Sequence, residues 1–431
     1  MQDISIIGIG RLGLPLAVVF ASRGFRVIGV DVDEAAINAV NARRVPARVY
    51  EPGLQELMDS LEDENLIATD DLQGAVENTD VSIILVPTPS DTTGAFALDY
   101  VLPVCRGIGQ AIRSKSKYHL VVVSSTVMPG SCDGPIREAL EATGGKRLDD
   151  GWGLCYCPEF IALGNAVNGF LNPDFVLIGS SGTRAALDLA TVYHLLCLND
   201  APTAHMSLVN AEITKIALNC SITVKITLAN TLAELCEAIP GANVDDVTRA
   251  IGLDHRIGPA YFRGGPKFGG PCFPRDTRAL STAARDVGVK VPLIEEVNRI
   301  NANQSARLAR LAISHLGGRS KVTFGVLGLA YKVDTNIEEE SPGLGLIEAL
   351  APYGHNIVAY DPLVAVGNSL RTAQEVADYS DIAIVTMNWP EFGEVQFHDG
   401  QVVIDCWRCL NWGKVTAARA KYIAIGWGSE S

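Results

Sequence analysis

The sequence predicts an α/β protein built of two Rossmann-like, doubly wound domains joined by a long central helix. Apolar runs alternate with helical patterns through residues 4–179, and the alternation restarts after Gly317-Gly318. Between these halves, residues 207–239 carry apolar side chains at helical spacing and contain neither Pro nor Gly. Alternating strands and helices are typical of parallel sheets covered by helices on both faces.

Apolar runs bounded by Gly, Pro or polar residues mark the predicted strands. The run at residues 4–9, the helical pattern after it and the run at 26–31 form a β-α-β unit. Further strands of the first half are predicted at residues 81–87, 119–126, 153–159 and 175–179, with a helix at 99–113. Strands of the second half are predicted at residues 322–330, 356–362, 382–387 and 402–407. Pro240-Gly241 ends the predicted long helix.

The composition is that of a globular chain of two or three domains. Its 431 residues are 48% hydrophobic and 19% charged, and no uninterrupted apolar run reaches the roughly 18–20 residues that span a bilayer. The net charge of −14 argues against a nucleic-acid partner. The first ten residues lack a basic flank and run directly into a motif, so we expect no signal peptide, no membrane association and a cytoplasmic location.

The ten cysteines are expected to be reduced thiols, as in other cytoplasmic proteins. Cys406 and Cys409 have the spacing of zinc ligands, but no second Cys/His pair accompanies them. We therefore predict no metal site, and we interpret Cys155 and Cys157 as strand core.

A glycine-rich turn after the first strand predicts a dinucleotide site. Gly8, Gly10 and Gly13 follow a strand and open a helix, so the backbone can approach a pyrophosphate at the helix N-terminus. Asp31 ends the next strand, where an acid binds the ribose 2′-hydroxyl and repels a 2′-phosphate. The predicted cofactor is NAD rather than NADP.

Residues 267–276 form the most informative stretch of the second half. Small residues and prolines surround Cys272, an arrangement that holds a thiol rigidly and lets a ligand approach. A nucleophilic cysteine needs access and a favoured thiolate. Taken alone, the pattern fits a buried structural cysteine at least as well, because free cysteines usually lie in protein cores.

Short motifs follow one another in order through nearly the whole chain. They lie at residues 8–15, 50–54, 86–89, 125–127, 129–130, 158–160, 172–174, 256–258, 269–276, 328–332 and 360–362, with Glu212, Lys215 and Asn219 between them. In this order they resemble the UDP-glucose/GDP-mannose dehydrogenase family. The resemblance implies oxidation of the C6 alcohol of a nucleotide-sugar to a carboxylate, UDP-glucose to UDP-glucuronate being the first choice.

The resemblance implies a role for each site residue. Cys272 forms a thiohemiacetal and then a thioester, and Lys215 and Asn219, four apart on one helix face, hold the C6 oxygen. Glu159 is the base for thioester hydrolysis. The other implied catalytic residues are Asp276, which orders water, and Thr126, which orients the base. The residues expected at NAD are Gly8, Gly10, Arg11, Leu12, Gly13, Asp31, Pro87, Thr88, Ser125 and Thr126.

The resemblance also implies how the substrate is bound and how the chain is organised. The residues expected at the nucleotide-sugar are Glu159, Phe160, Lys215, Asn219, Arg256, Arg263, Phe268, Gly269, Lys332 and Arg408. Arg256 matches an arginine that reaches the neighbouring subunit's site, so we expect a homodimer or a higher homo-oligomer. The expected domains are residues 1–200 for NAD, 201–300 for dimerisation and the cysteine loop, and 301–431 for the nucleotide-sugar.

The sequence departs from the family pattern in five places, and in one of them a basic residue expected a few positions after Asp31 is absent. Leu163 stands where many relatives carry a glutamate that helps to bind cofactor, and Glu339 where relatives usually carry an arginine. Trp407 occupies the place of an arginine, with Arg408 next to it, and Pro271 replaces a serine. These departures leave the reaction type in place and weaken the assignment of the sugar.

Three alternatives stay open at this stage. The same chemistry on a UDP-N-acetylhexosamine or on GDP-mannose fits the same motifs. A β-hydroxyacid dehydrogenase, with one lysine and one hydride transfer, accounts for the glycine turn and Lys215 but not for the Cys272 loop. A non-catalytic protein that binds NAD or nucleotide-sugars fits the changes at Leu163 and Glu339 but not the presence of Cys272 and Glu159. The NADH yield per substrate separates the β-hydroxyacid dehydrogenase from a four-electron dehydrogenase, and a panel of nucleotide-sugars separates the sugars.

Overall fold

The computed structural model describes residues 3–62, 64–149, 151–161, 163–367 and 369–428. The chain forms two compact units, residues 1–217 and 218–431. Helix α9, Leu208–Glu237, contains the boundary between them. Each unit contains one β-sheet, and the prediction of two doubly wound α/β parts with a long central helix is confirmed.

The first unit contains eight strands. Their bounds are β1 Ile4–Ile7, β2 Val27–Val30, β3 Leu66–Thr69, β4 Val81–Ile84, β5 His119–Val123, β6 Trp152–Tyr156, β7 Val176–Ser180 and β8 Thr203–Ser207. They form one sheet in the order β3-β2-β1-β4-β5-β6-β7-β8. Neighbouring strands are parallel except β6 and β7, which run antiparallel, so the sheet departs at one pair from the parallel arrangement that was predicted.

Helices cover both faces of this sheet. They are α1 Gly13–Ser22, α2 Glu34–Asn41, α3 Leu54–Asp59, α4 Leu72–Glu77, α5 Val101–Ser114, α6 Arg137–Gly144, α7 Ala166–Leu171 and α8 Thr183–Leu196, with a π-helical turn at Cys132–Ile136. Along β5, Leu120 and Val122 enter one hydrophobic cluster, whereas Val121 and Val123 enter the other. This alternation is the pleat of a strand buried on both faces.

The second unit contains the remaining helices and a smaller sheet. The helices are α10 Val244–Gly252, α11 Phe273–Asp286, α12 Pro292–Ser314, α13 Pro342–Leu350, α14 Ala373–Tyr379 and α15 Trp412–Ala417, with 3₁₀ turns at Ala351–Tyr353 and Pro390–Glu394. The strands are β9 Thr323–Leu327, β10 Asn356–Tyr360, β11 Ile382–Val385, β12 Val402–Asp405 and β13 Lys421–Ala424. All pairs are parallel, in the order β10-β9-β11-β12-β13.

Helix α9 is long and apolar enough to cross a membrane if length and composition alone are considered. The core helix of a soluble protein passes the same test. Three polar side chains of α9, Glu212, Lys215 and Asn219, are buried, and each forms hydrogen bonds within the protein. These hydrogen bonds satisfy groups whose burial would otherwise destabilise the fold.

Candidate active site

The glycine-rich turn between β1 and α1 has the shape of a phosphate-binding turn. Gly8 has φ +96°, and a Cβ there would lie 2.6 Å from the Leu85 carbonyl oxygen. A Cβ on Gly13 would lie 1.8 Å from the Gly8 carbonyl oxygen, whereas the Cβ position of Gly10 has nothing within 4 Å. The turn therefore needs glycine at two positions to close, and it leaves open space at the third, which fits the approach of a pyrophosphate.

Asp31 follows β2 and turns its carboxylate back to the glycine turn. The carboxylate accepts hydrogen bonds from the Ile9 N–H at 3.0 Å and from the Asp33 N–H at 3.0 Å. Arg48 adds an ion pair at 3.3 Å, and the same guanidinium lies 2.7 Å from the Asp33 carboxylate. Arg48 was not among the predicted site residues, because nothing in the linear sequence connects it to an acid 17 residues earlier.

The segments that follow β4 and β5 are connected by side-chain hydrogen bonds. The Thr88 hydroxyl donates to the Thr126 carbonyl oxygen at 2.7 Å, and the Ser125 hydroxyl donates to the Val86 carbonyl oxygen at 2.7 Å. Since parallel strands end at one edge of the sheet, these polar residues lie on the edge that also bears the glycine turn. The predicted cofactor residues after β1, β4 and β5 thus share that edge.

Glu159 follows β6 and makes two contacts of different kinds. Its carboxylate accepts a hydrogen bond from the Tyr193 hydroxyl at 2.8 Å, and its main-chain carbonyl accepts one from Lys215 Nζ. The same ammonium lies 4.7 Å from the centroid of the Phe160 ring. Burial raises the pKa of Glu159 to about 7, although the Tyr193 hydrogen bond and the Lys215 charge oppose the shift. A carboxylate with a pKa near 7 is suited to act as a general base near neutral pH.

Glu212 holds the loop after Thr126 against α9. Its buried carboxylate accepts hydrogen bonds from the Gly130 and Cys132 N–H groups, the second at 2.7 Å. Burial raises the pKa of Glu212, and the backbone hydrogen bonds oppose that effect. Lys215 lies one helical turn further along, so Glu212 fixes the position of the turn that presents the ammonium.

In the second unit, Cys272 stands at the N-terminus of α11. Among the cysteines that the structure describes, it is the exposed one. The partial positive charge of a helix N-terminus stabilises an anion at this position. One turn later, the Asp276 N–H donates to the Cys272 carbonyl oxygen at 2.8 Å, and the buried Asp276 carboxylate accepts a hydrogen bond from Asn219 Nδ2 at 2.6 Å. Asn219, Asp276 and Cys272 are therefore brought together by α9 and α11.

The loop before Cys272 is held from two sides. Phe268 exchanges hydrogen bonds with the Asn301 side chain at 2.8 and 3.0 Å. The Gly270 N–H donates to the Glu339 carbonyl oxygen at 2.9 Å, and Gly269 approaches the backbone of Glu340 closely. Glu340 also pairs with Lys267 and with Arg278 of α11. The segment Glu339-Glu340 thus supports the cysteine loop both through its backbone and through the Glu340 carboxylate.

The remaining predicted substrate residues occupy separate places in the second unit. Arg408 makes a bidentate ion pair with Asp245, at 2.9 and 2.8 Å. Arg263 donates to the Trp407 carbonyl oxygen, and its guanidinium lies 5.9 Å from the Trp407 ring centroid. Arg256 is exposed and pairs with Asp254 at 2.6 Å.

Lys332 lies partly buried in the loop after β9. No group of three or more Cys, His, Asp or Glu suited to a metal ion occurs in the described ranges.

Comparison with known proteins covers almost the whole chain. The NAD-binding domain model of the UDP-glucose/GDP-mannose dehydrogenase family matches residues 2–197, the central domain model residues 209–303, and the UDP-binding domain model residues 325–412. The chain belongs to the UDP-glucose/GDP-mannose dehydrogenase family. It is an NAD-dependent oxidoreductase of nucleotide-sugars, so the predicted family, enzyme class and cofactor are confirmed.

Individual members of the family show how far the similarity extends. The dehydrogenase is 34% identical to a UDP-glucose 6-dehydrogenase of Haloferax volcanii over 91% of this chain and 92% of that protein. It is 35% identical to a GDP-mannose 6-dehydrogenase of Pseudomonas aeruginosa over 83% of this chain and 80% of that protein. The solved structure of a UDP-glucose dehydrogenase from Pyrobaculum islandicum superposes with a TM-score of 0.90 at 33% identity, covering 99% of this chain and 98% of that one.

Proposed function

We propose that this dehydrogenase oxidises UDP-glucose to UDP-glucuronate with Cys272 as covalent nucleophile. The exposure of Cys272 at the start of α11, with the Asn219–Asp276 pair one turn away, is the observation that carries the proposal. The UDP-binding domain model at residues 325–412 supports the uridine nucleotide.

The proposed reaction removes four electrons in two steps. The glycine turn and Asp31 would hold NAD, which would supply the hydride acceptor for each step. After the first step, the Cys272 sulfur adds to the aldehyde carbon, and the hemithioacetal oxygen is held by Lys215 and Asn219. Loss of the second hydride from that carbon, together with the hydroxyl proton of the thiohemiacetal, leaves a thioester. Water, deprotonated by Glu159 and positioned by Asp276 and Thr126, then adds to the carbonyl carbon, the C–S bond breaks, and the acid leaves.

The substrate assignment is tested with a panel of nucleotide-sugars. Purified protein and NAD are offered UDP-glucose, UDP-N-acetylglucosamine, UDP-N-acetylmannosamine and GDP-mannose at equal concentration, and NADH absorbance is followed. We expect kcat/KM to be highest for UDP-glucose. Turnover confined to an N-acetylhexosamine or to GDP-mannose would contradict the sugar and leave the reaction class in place.

The pH dependence of turnover is expected to report Glu159 and its partner Tyr193. Since a base must be ionised to act, the rate should fall as the pH drops through about 7, the raised pKa of Glu159. Tyr193→Phe removes a hydrogen bond to the ionised form, so the acidic limb should move to higher pH by about one unit, with the rate recovering at high pH. If the acidic limb of folded Tyr193→Phe does not move, Tyr193 does not position the base.

We also propose that the active unit is a homodimer or larger, with Arg256 completing the partner's site. Exposed apolar side chains flank it in sequence, with Leu253 83%, Ile257 48% and Tyr261 52% exposed. Such exposure is typical of surfaces that associate.

Two inactive variants, Arg256→Ala and Cys272→Ala, test the trans arrangement when they are mixed and allowed to exchange subunits. If Arg256 acts in trans, each mixed dimer contains one intact site, and activity should return to about a quarter of the wild-type level. Subunit exchange is verified by light scattering and mass spectrometry. If activity does not return after exchange, Arg256 lies outside the partner's site.

A cytoplasmic location belongs to the same proposal. The ten cysteines are free thiols, and Cys155, Cys157 and Cys197 are buried in one hydrophobic cluster of the first unit. Free thiols persist in the reducing cytoplasm.

A further inference from the structure

The ion pair between Arg48 and Asp31 lies at the position where NAD-binding and NADP-binding Rossmann sites differ. An acid after the second strand receives the ribose 2′-hydroxyl in NAD enzymes, whereas an arginine nearby receives the 2′-phosphate in NADP enzymes. This chain contains both groups, in contact at 3.3 Å. We propose that Arg48 is a second determinant of cofactor choice, held at the 2′ position by Asp33 and neutralised there by Asp31.

The place of Arg48 is fixed by its own segment. The Val49 N–H donates to the Pro46 carbonyl oxygen at 2.9 Å, and Val49 is buried in the core that α1 and α3 share. Gln55 holds the same segment through the Val45 N–H at 2.9 Å and the Arg43 carbonyl oxygen at 3.0 Å. The backbone from which Arg48 extends is therefore ordered by contacts that do not involve a cofactor.

The guanidinium of Arg48 is held at two points. One nitrogen, Nη1, lies 2.7 Å from Asp33 Oδ2, and the other, Nη2, lies 3.3 Å from Asp31 Oδ2. Asp33 is itself fixed, because its second oxygen caps α2 by accepting the Ala35 and Ala36 N–H groups. Removing the charge of Asp31 therefore leaves Arg48 anchored by Asp33, with Nη2 no longer paired to a carboxylate.

The Asp31 carboxylate has few free positions for accepting hydrogen bonds while Arg48 is bound. A carboxylate has about four lone-pair positions. The Ile9 N–H, the Asp33 N–H and Arg48 use three of them. One position of Asp31 is thus left to accept a ribose hydroxyl of NAD while Arg48 is bound. For the 2′-phosphate of NADP, the two residues act in opposite directions: Asp31 repels it and Arg48 attracts it.

Equilibrium binding without a sugar substrate tests the proposal. Isothermal titration calorimetry gives Kd for NAD and NADP with the wild type, Asp31→Asn, Arg48→Leu and Asp31→Asn/Arg48→Leu. Asp31→Asn should tighten NADP binding about tenfold or more, the scale of a charge-assisted contact to phosphate, and should weaken NAD binding. The double variant should lose the gain. Arg44→Leu in the Asp31→Asn background is the matched control, since it removes an exposed arginine of the same segment, and it should keep the gain.

Two results would overturn the proposal. One is an unchanged NADP affinity in Asp31→Asn, and the other is a gain of equal size with and without Arg48. Should Asp31→Asn fail to fold by circular dichroism, Arg48→Leu alone decides the matter, because it should weaken NADP binding relative to NAD. An unchanged ratio in that variant would contradict the proposal equally.

Discussion

Cys272→Ala should abolish acid formation, with the rate falling by about 10⁴-fold or more, the scale on which loss of a covalent nucleophile reduces turnover. The reason is chemical, because without the thiol no thioester forms and the second oxidation has no covalent intermediate to act on. Cys272→Ser should still perform the first hydride transfer and then stall. The measurement is UDP-glucuronate formed per enzyme, determined by mass spectrometry of the quenched reaction.

The control for Cys272→Ala is Cys105→Ala, which removes a buried thiol of α5. That variant should keep acid formation near the wild-type rate. Since Cys272 is the exposed cysteine among the described residues, iodoacetamide should label its peptide first in the native wild type. Normal acid formation by Cys272→Ala would contradict its role as nucleophile.

Glu159→Gln should stop the reaction one step later, at the thioester. The glutamine oxygen still accepts the Tyr193 hydrogen bond, so the local structure is preserved while the base is lost. Loss of a general base slows turnover by roughly 10²–10⁴-fold. In the denatured variant, mass spectrometry should find a sugar-nucleotide adduct on the peptide that contains Cys272.

The matched control for Glu159→Gln is Glu138→Gln, which neutralises an exposed glutamate of α6. It should turn over normally and carry no adduct. A Glu159→Gln enzyme with no adduct and a near-normal rate would require another residue as the base.

The sequence predicted the elements with strong patterns and missed those without them. Residues 207–239 were predicted as one helix, and Leu208–Glu237 is helical, because this segment contains no residue that breaks a helix. Strands β3, β8 and β13 were not predicted. In β8, half-buried positions alternate with exposed ones, so the segment lacks the apolar run by which the buried strands were found.

Within the site, the residues fixed by local motifs were predictable, and those brought in by folding were not. Asp31 follows its strand at the expected distance from the glycine turn, and its bond to the Ile9 N–H agrees with that expectation. Arg48 and Tyr193 had no such signal. Tyr193 lies on α8 at a position that resembles helix core, and only the folded chain places its hydroxyl 2.8 Å from Glu159. The sequence records the type of a side chain, whereas these roles depend on partners distant in the chain.

The number of NADH molecules formed per sugar distinguishes a four-electron oxidation from a two-electron one. A limiting, known amount of the preferred nucleotide-sugar is consumed to completion with excess NAD, while NADH absorbance and the acid product are quantified together. Oxidation of an alcohol to an acid removes four electrons, and each NAD takes two, so we expect two NADH and one carboxylate per sugar. One NADH per sugar with an aldehyde or ketone product, or no NADH at all, would contradict this expectation.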